Sequence, residues 1–345
     1  MSPSGLDRAD NGARNAALRL AFGVTACFAV VEALDWDATF LAPLLAANML
    51  VKLQRPPSLA QGLVVVVLIA LSTSIVLAVT TAFIGKPAVL ILALMLLLYL
   101  SFYAHRRGAP DLATLLLQIS AVSLPVIAVL SPDGAATFSS TLLSAGVVAL
   151  ITVWVAHAAF PAPAATITGT APSASLPAEP VMAARHALLD TLVLLPVLTW
   201  YILDATQVAV VVLIVIVTLL RQHDPKQGQR AALGLILGNL IGGIAAAIVY
   251  NLVLLNNNTL LFFISVCLAA SLIFAGRIAT AGDRAPIYAI AFATFILLLG
   301  LGLTPLPGGS GEAFVSRLLN VLLASAYAIG GLSLVARWRI DRSGS

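Results

Sequence analysis

Charge is what this sequence has least of. Only 9% of its 345 residues are Asp, Glu, Lys or Arg, whereas a soluble domain carries about 25% charged residues. Hydrophobic residues make up 61% of the chain, and the mean hydropathy is +1.05. A water-soluble core cannot bury this much apolar surface, so the composition excludes a soluble globular protein and indicates that lipid surrounds most of the chain.

Cysteine and the signatures of enzyme chemistry are also scarce. Cys27 and Cys267 lie inside apolar runs, which favours packing residues over a disulfide. The sequence has no H-E-x-x-H, G-x-S-x-G or Walker A motif, and no Cys/His cluster at metal-ligand spacing. We therefore predict no enzyme activity, no cofactor and no metal site. The basic residues are scattered singly, which argues against a nucleic-acid partner.

Long apolar runs dominate what is present, and most have roughly the 17–25 residues that cross a bilayer as a helix. They predict an all-α polytopic membrane protein with twelve transmembrane helices. The runs lie at 16–34, 39–53, 59–84, 88–105, 111–130, 140–160, 184–203, 206–220, 228–255, 259–276, 285–303 and 313–336.

The basic residues give these helices an orientation. If the helices alternate from a cytoplasmic N-terminus, 16 of the 18 lysines and arginines fall on the cytoplasmic side. Only Lys86 and Arg317 fall on the other side. This positive-inside bias predicts that both termini are cytoplasmic. The polar residues before the first run are expected to form a tail rather than a cleaved signal peptide.

The chain divides into two similar halves. Asp37-Ala38-Thr39 matches Asp204-Ala205-Thr206 at an offset of 167 residues, and Phe102 and Asp111 match Phe274 and Asp283 at an offset of 172. Because six helices bring the chain back to the same side, the repeats are expected to be parallel, with a pathway at their interface. The predicted segments are a tail at 1–15, a six-helix repeat at 16–160, a cytoplasmic linker at 161–183, a second repeat at 184–336 and a tail at 337–345.

Four charges are predicted to lie within the membrane: Arg19, Glu32, Asp190 and Arg317. A charged side chain at the centre of a membrane helix costs about 2.5–3.5 kcal/mol, so such residues usually face a cavity or a partner. We interpret Asp190 and Arg317 as candidates for a substrate or ion pathway, and Arg19 and Glu32 as candidates that could instead snorkel to the interface. The alternative for Asp190 is a buried pair with an arginine that only holds helices together.

The second and eighth helices are unusually short, at 39–53 and 206–220. Pro43 is expected to interrupt the first of them and to free a backbone carbonyl. Short or interrupted segments at matching positions of two halves are typical of a transporter binding site. Asn48 and Gln207 would supply polar groups there. The alternative is a pair of tilted short helices where the bilayer is thin.

Several short motifs have a familiar order. They are Ala17-Leu18-Arg19-Leu20-Ala21, Leu34-Asp35-Trp36-Asp37, Phe40-Leu41-Ala42-Pro43, Arg55-Pro56-Pro57-Ser58 and Gln61-Gly62. With these features the chain resembles the fusaric acid resistance protein-like and aromatic acid exporter superfamily, in a short branch without the large cytoplasmic domains. The resemblance implies a bacterial inner-membrane protein that exports aromatic carboxylates. It also implies a periplasmic adaptor of the membrane-fusion type as a partner.

The leading hypothesis is an exporter of small organic acids of aromatic character. Arg19 and Arg317 would attract the carboxylate, and Asp190, with Glu32 as a second candidate, would carry a coupling proton. The alternatives are a passive organic-anion channel on the same scaffold and a membrane subunit for the adaptor protein. The sequence leaves open the substrate, the coupling ion and whether two chains form a homodimer.

Overall fold

The computed structural model describes residues 3–36, 39–53, 55–161, 179–204, 209–222, 228–256 and 260–303, together with residues 323, 326, 327, 330 and 331. In this part of the chain the regular structure is helical. The α-helices are α1 (Pro3–Ala33), α2 (Leu41–Lys52), α3 (Leu59–Phe83), α4 (Pro87–Arg106), α5 (Asp111–Leu130), α6 (Pro132–Ala159), α7 (Pro180–Asp204), α8 (Ala209–Gln222), α9 (Gly228–Leu255), α10 (Leu260–Thr280) and α11 (Ala285–Leu303). A 3-10 turn, Gly282–Arg284, precedes α11.

Nine helices of the described part are long and apolar enough to cross a membrane. The prediction of an all-α, multi-pass membrane protein is therefore confirmed. The predicted short helices are also present, since α2 has 12 residues and α8 has 14. The predicted helix at 313–336 lies almost wholly outside the described residues, so a twelfth helix stays a prediction.

Local backbone geometry at Asp35 and Trp36 ends α1. Asp35 has a φ of 50°, in the left-handed region where helices commonly end. The Trp36 amide then donates to the Val31 carbonyl at 3.2 Å, and the Asp35 amide to the Glu32 carbonyl at 3.2 Å. These two bonds satisfy carbonyls at the end of α1 that have no partner within the helix.

The prediction that Pro43 interrupts the second helix is wrong. It is the third residue of a helix that begins at Leu41. The amide of a first-turn residue has no intrahelical acceptor, so proline is tolerated there at little cost. The Leu44 amide still donates to the Phe40 carbonyl at 3.1 Å, and α2 continues unbroken. Pro43 thus helps α2 to start and does not free a carbonyl inside it.

The Gln61-Gly62 motif sets the start of α3 and its packing. The Ser58 amide donates to Gln61 Oε1 at 2.9 Å, and the Gln61 amide donates to Ser58 Oγ at 3.2 Å. This reciprocal pair is a capping box. A Cβ on Gly62 would lie 2.8 Å from both Leu150 and Trp154, so glycine allows α3 to approach α6 closely.

Three glycines spaced four residues apart bring α9 close to α11. A Cβ on Gly238 would lie 2.9 Å from the Ile287 carbonyl oxygen, and a Cβ on Gly242 would lie 2.2 Å from that of Ala291. Small residues at this spacing let membrane helices pack backbone to backbone.

The helices form two compact units. The first unit comprises residues 1–63, 144–172 and 234–318, and the second comprises 64–143, 173–233 and 319–345. In the first unit α1 packs against α2 and α10, and α11 packs against α2 and α10. In the second unit α7 packs against α8 and α4, and α5 packs against α8 and α4. Each unit thus joins the first two helices of one half to the fourth and fifth helices of the other.

Candidate functional site

Asp190 forms a buried ion pair inside the second unit. Its Oδ2 accepts a hydrogen bond of 2.6 Å from Nη2 of Arg106. The Asp190 side chain is only 3% exposed and that of Arg106 13%. Arg106 is the last residue of α4, while Asp190 lies in the first half of α7. The alternative role of Asp190 was a buried pair with an arginine, and Arg106 is the arginine that it contacts.

A second buried arginine lies in the same unit. Arg221, near the end of α8, has a side chain only 7% exposed. It meets Asp111, Thr114 and Gln118, whose spacing places them on one face of α5. Its Nη1 donates to Gln118 Oε1 at 2.6 Å and to Thr114 Oγ1 at 3.1 Å. Its Nη2 donates to the Asp111 carbonyl at 2.8 Å and to the Asp111 carboxylate.

His105 lies beside Asp111, the acidic partner of Arg221. Its Nδ1 lies 3.3 Å from Asp111 Oδ1, and it directly precedes Arg106 on α4. We call the five residues His105, Arg106, Asp111, Asp190 and Arg221 the charged network. The charged network ties together α4, α5, α7 and α8. A guanidinium can bind a planar carboxylate through two parallel hydrogen bonds, so a carboxylate ligand is chemically able to replace a protein carboxylate there.

Arg19 provides a buried cation in the first unit. It lies on α1 and is 5% exposed. Its Nε is buried and has no hydrogen-bond partner in the described part of the chain. His157 lies within electrostatic range of Arg19, but its ring nitrogens contact the carbonyls of Val153 at 2.8 Å and Leu53 at 3.3 Å. A buried cation is costly unless an anion compensates its charge, and an anionic ligand would provide such an anion.

The other predicted site residues contribute less to these clusters. Glu32 is half-buried near the end of α1. It is 13 residues beyond Arg19, about 20 Å along the helix, so the two do not pair. Asn48 donates its amide to the Leu44 carbonyl of its own helix at 2.9 Å. Gln207 and Arg317 lie outside the described residues. Arg19 and Asp190 belong to different units.

The sequence did not predict Arg106 and Arg221 as site residues. Both lie at helix ends, where the distribution of lysine and arginine assigned them to the cytoplasmic side. A signal for Arg221 was present in α5, where Asp111, Thr114 and Gln118 form a polar stripe in an apolar run. Among the described residues, no group of three or more His, Cys, Asp and Glu side chains could hold a metal ion.

Two regions of the chain match families of known proteins. Residues 16–156 match a family described as Protein of unknown function (DUF2955). Residues 195–330 match a family described as Fusaric acid resistance protein-like. No curated protein and no solved structure matches the chain.

Proposed function

We propose that this membrane protein exports small organic acids of aromatic character. Residues 195–330 match a family described as Fusaric acid resistance protein-like. This match agrees with the resemblance predicted from the sequence. The family points to membrane transport of small organic acids. Aromatic selectivity, the export direction and a bacterial inner membrane are parts of the proposal.

Buried guanidinium groups in apolar helices carry the proposal. Arg19 and Arg106 lie on helices that are long and apolar enough to span a bilayer, and both side chains are largely buried. A buried cation is costly unless an anion compensates its charge. A carboxylate substrate would provide that anion, transiently, at either cation.

Asp190 carries the coupling proton in this proposal. Protonation removes the negative charge that Arg106 binds, so uptake of a proton and opening of the ion pair are linked events. Each proton that moves inward across the membrane supplies about 2.3 kcal/mol per 100 mV of potential. Glu32, half-buried near the other end of α1, is a second proton-binding candidate.

The proposed topology has two parallel six-helix repeats with both termini in the cytoplasm. The corresponding helix pairings of the two compact units support the repeat, because each unit joins helices one and two of one half to helices four and five of the other. The distribution of lysine and arginine supports the orientation.

A passive anion channel is the second candidate. It is favoured by the Asp190–Arg106 contact, since a carboxylate held at 2.6 Å by an arginine can act as a structural tie while cations such as Arg19 attract permeating anions. The adaptor partner, and with it the role of a membrane subunit, rests on the resemblance alone.

Flux and current measurements on purified protein in lipid test these candidates. An exporter moves labelled 4-hydroxybenzoate across proteoliposome membranes and gives no unitary currents in a planar bilayer. Unitary currents carried by the same anion in symmetric solutions establish the channel. Absence of both flux and current, with the fold retained, contradicts transport altogether.

A further inference from the structure

A cluster of three phenylalanines fills the first unit between α10 and α11. Phe274 lies 5.5 Å from Phe292 and 5.4 Å from Phe295, and the last two rings are stacked with centroids 6.2 Å apart. All three are at most 5% exposed. Aromatic contacts of this kind fill core space with rigid rings.

The second unit has serines at two of the three corresponding positions. The offset of 172 residues that relates Phe102 to Phe274 also relates Ser120 to Phe292 and Ser123 to Phe295. Phe102 on α4 is fully buried, and α4 packs against α5 as α10 packs against α11. One ring of the cluster is therefore retained, and two rings are replaced by hydroxymethyl groups.

These serines are buried but unsatisfied. Both are 0% exposed, and neither Oγ has a hydrogen-bond partner in the part of the chain that the structure describes. Buried hydroxyl groups normally find a partner. Two such groups stand at positions where the other unit holds phenyl rings, so both polar atoms are available to a ligand.

The Arg106 guanidinium is carried one helical turn beyond Phe102 on α4. Arg106 follows Phe102 by four residues, so both lie on the same face of α4, with about 6 Å of axial rise between them. That rise is similar to the length of an aromatic carboxylate. The aligned positions of the first unit hold uncharged residues: the offset of 172 relates Arg106 to Ile278, and the offset of 167 relates Asp190 to Gly23.

We propose that Phe102, Ser120, Ser123 and Arg106 form a binding site for a planar aromatic carboxylate within the second unit. The ligand ring occupies the positions that Phe292 and Phe295 fill in the first unit. A ring substituent hydrogen-bonds to the serine hydroxyls, and the carboxylate binds the Arg106 guanidinium in exchange for Asp190. The site rests on the proposed function only for its role in transport, because binding is measured separately.

Equilibrium binding of radiolabelled benzoate to the full chain in detergent tests the site. We expect saturable binding, and we expect S120F/S123F, which installs the rings of the first unit, to weaken it at least about tenfold by filling the space. S120A/S123A does not add bulk but removes two hydroxyl groups, so it should weaken the binding of 4-hydroxybenzoate by about fivefold. Ser265→Phe makes the same change at an exposed position of α10 and is the matched control.

Wild-type benzoate affinity in a folded S120F/S123F variant overturns the site, and so does absence of saturable binding to the wild type. If S120F/S123F does not fold, Ser123→Cys replaces it. Benzoate should slow the reaction of that thiol with a small methanethiosulfonate, measured against the wild-type background. A thiol that stays unreactive, or reacts equally fast with benzoate present, also overturns the site. Binding without flux in proteoliposomes contradicts the transport function and leaves the site standing.

Discussion

Asp190 on α7 accepts a hydrogen bond of 2.6 Å from Arg106 on α4, across 84 positions of sequence. The pair joins two helices from different halves of the chain inside one compact unit. Removing one member takes a close partner of opposite charge from the other, whereas removing both creates no such imbalance.

A double-mutant cycle measures this coupling. Asp190→Asn and Arg106→Gln should each lower the free energy of unfolding by about 3–5 kcal/mol, while the double variant should lose much less than the sum. Reversible denaturation in mixed micelles provides the free energies. Additive losses would show that the two side chains do not interact in the folded protein.

Arg221 should stabilise the second unit by joining α8 to α5. Arg221→Gln loses hydrogen bonds to Asp111, Thr114 and Gln118 and takes this donor from the buried Gln118 Oε1, at a cost of about 1–3 kcal/mol. Arg221→Lys keeps the charge but loses the planar guanidinium group. Its stability should therefore lie between those of the wild type and Arg221→Gln. Thermal unfolding in detergent compares them with Arg55→Gln, an exposed control. Equal melting temperatures for Arg221→Gln and Arg55→Gln would contradict the role of this contact.

Arg19 should matter for transport rather than for stability. Arg19→Gln removes a buried guanidinium whose Nε has no partner among the described residues, so the melting temperature should stay the same or rise. Organic-acid flux should fall about tenfold or more, as expected when a buried polar contact to the substrate is lost. Arg14→Gln, at an exposed position of the same helix, is the control. A large loss of stability with normal flux per folded molecule would assign Arg19 a purely structural role.

The close approach of α9 and α11 should not tolerate a larger residue at Gly242. A Cβ there would lie 2.2 Å from the Ala291 carbonyl oxygen, so Gly242→Ala should cost at least about 1–3 kcal/mol through overpacking. Gly276→Ala on α10 is the matched control, because nothing lies within 4 Å of its added Cβ. Unfolding of both variants in the same detergent measures the difference, and similar stabilities would contradict the packing.

The sequence predicted the helices well where lipid dictates their length. The predicted runs at 111–130, 228–255 and 285–303 coincide with α5, α9 and α11, because a bilayer requires about 20 apolar residues per span. The start of α6 was placed at 140 instead of 132, since its first turns are rich in Ser, Thr and Ala and do not resemble an apolar run.

The site was predictable only in part. Asp190 stands out as an acid inside an apolar run, so its burial was foreseen. Its partner was not, because the contact joins residues 84 positions apart, and local periodicity says nothing about such contacts. The serines at 120 and 123 became informative only when the packing of α10 and α11 showed what fills the corresponding positions in the first unit.

The direction of proton movement during acid efflux tests the central claim most directly. Proteoliposomes are loaded with 4-hydroxybenzoate at mildly alkaline pH, diluted, and followed with an internal pH dye, with protein-free liposomes as the blank. Export coupled to inward proton movement acidifies the interior, whereas leakage of the neutral acid makes it more alkaline. We predict acidification with the wild type and none with Asp190→Asn, although that variant still binds the acid. Equal acidification by both proteins would contradict the assignment of the coupling proton to Asp190, and absence of acidification by the wild type would contradict proton-coupled export.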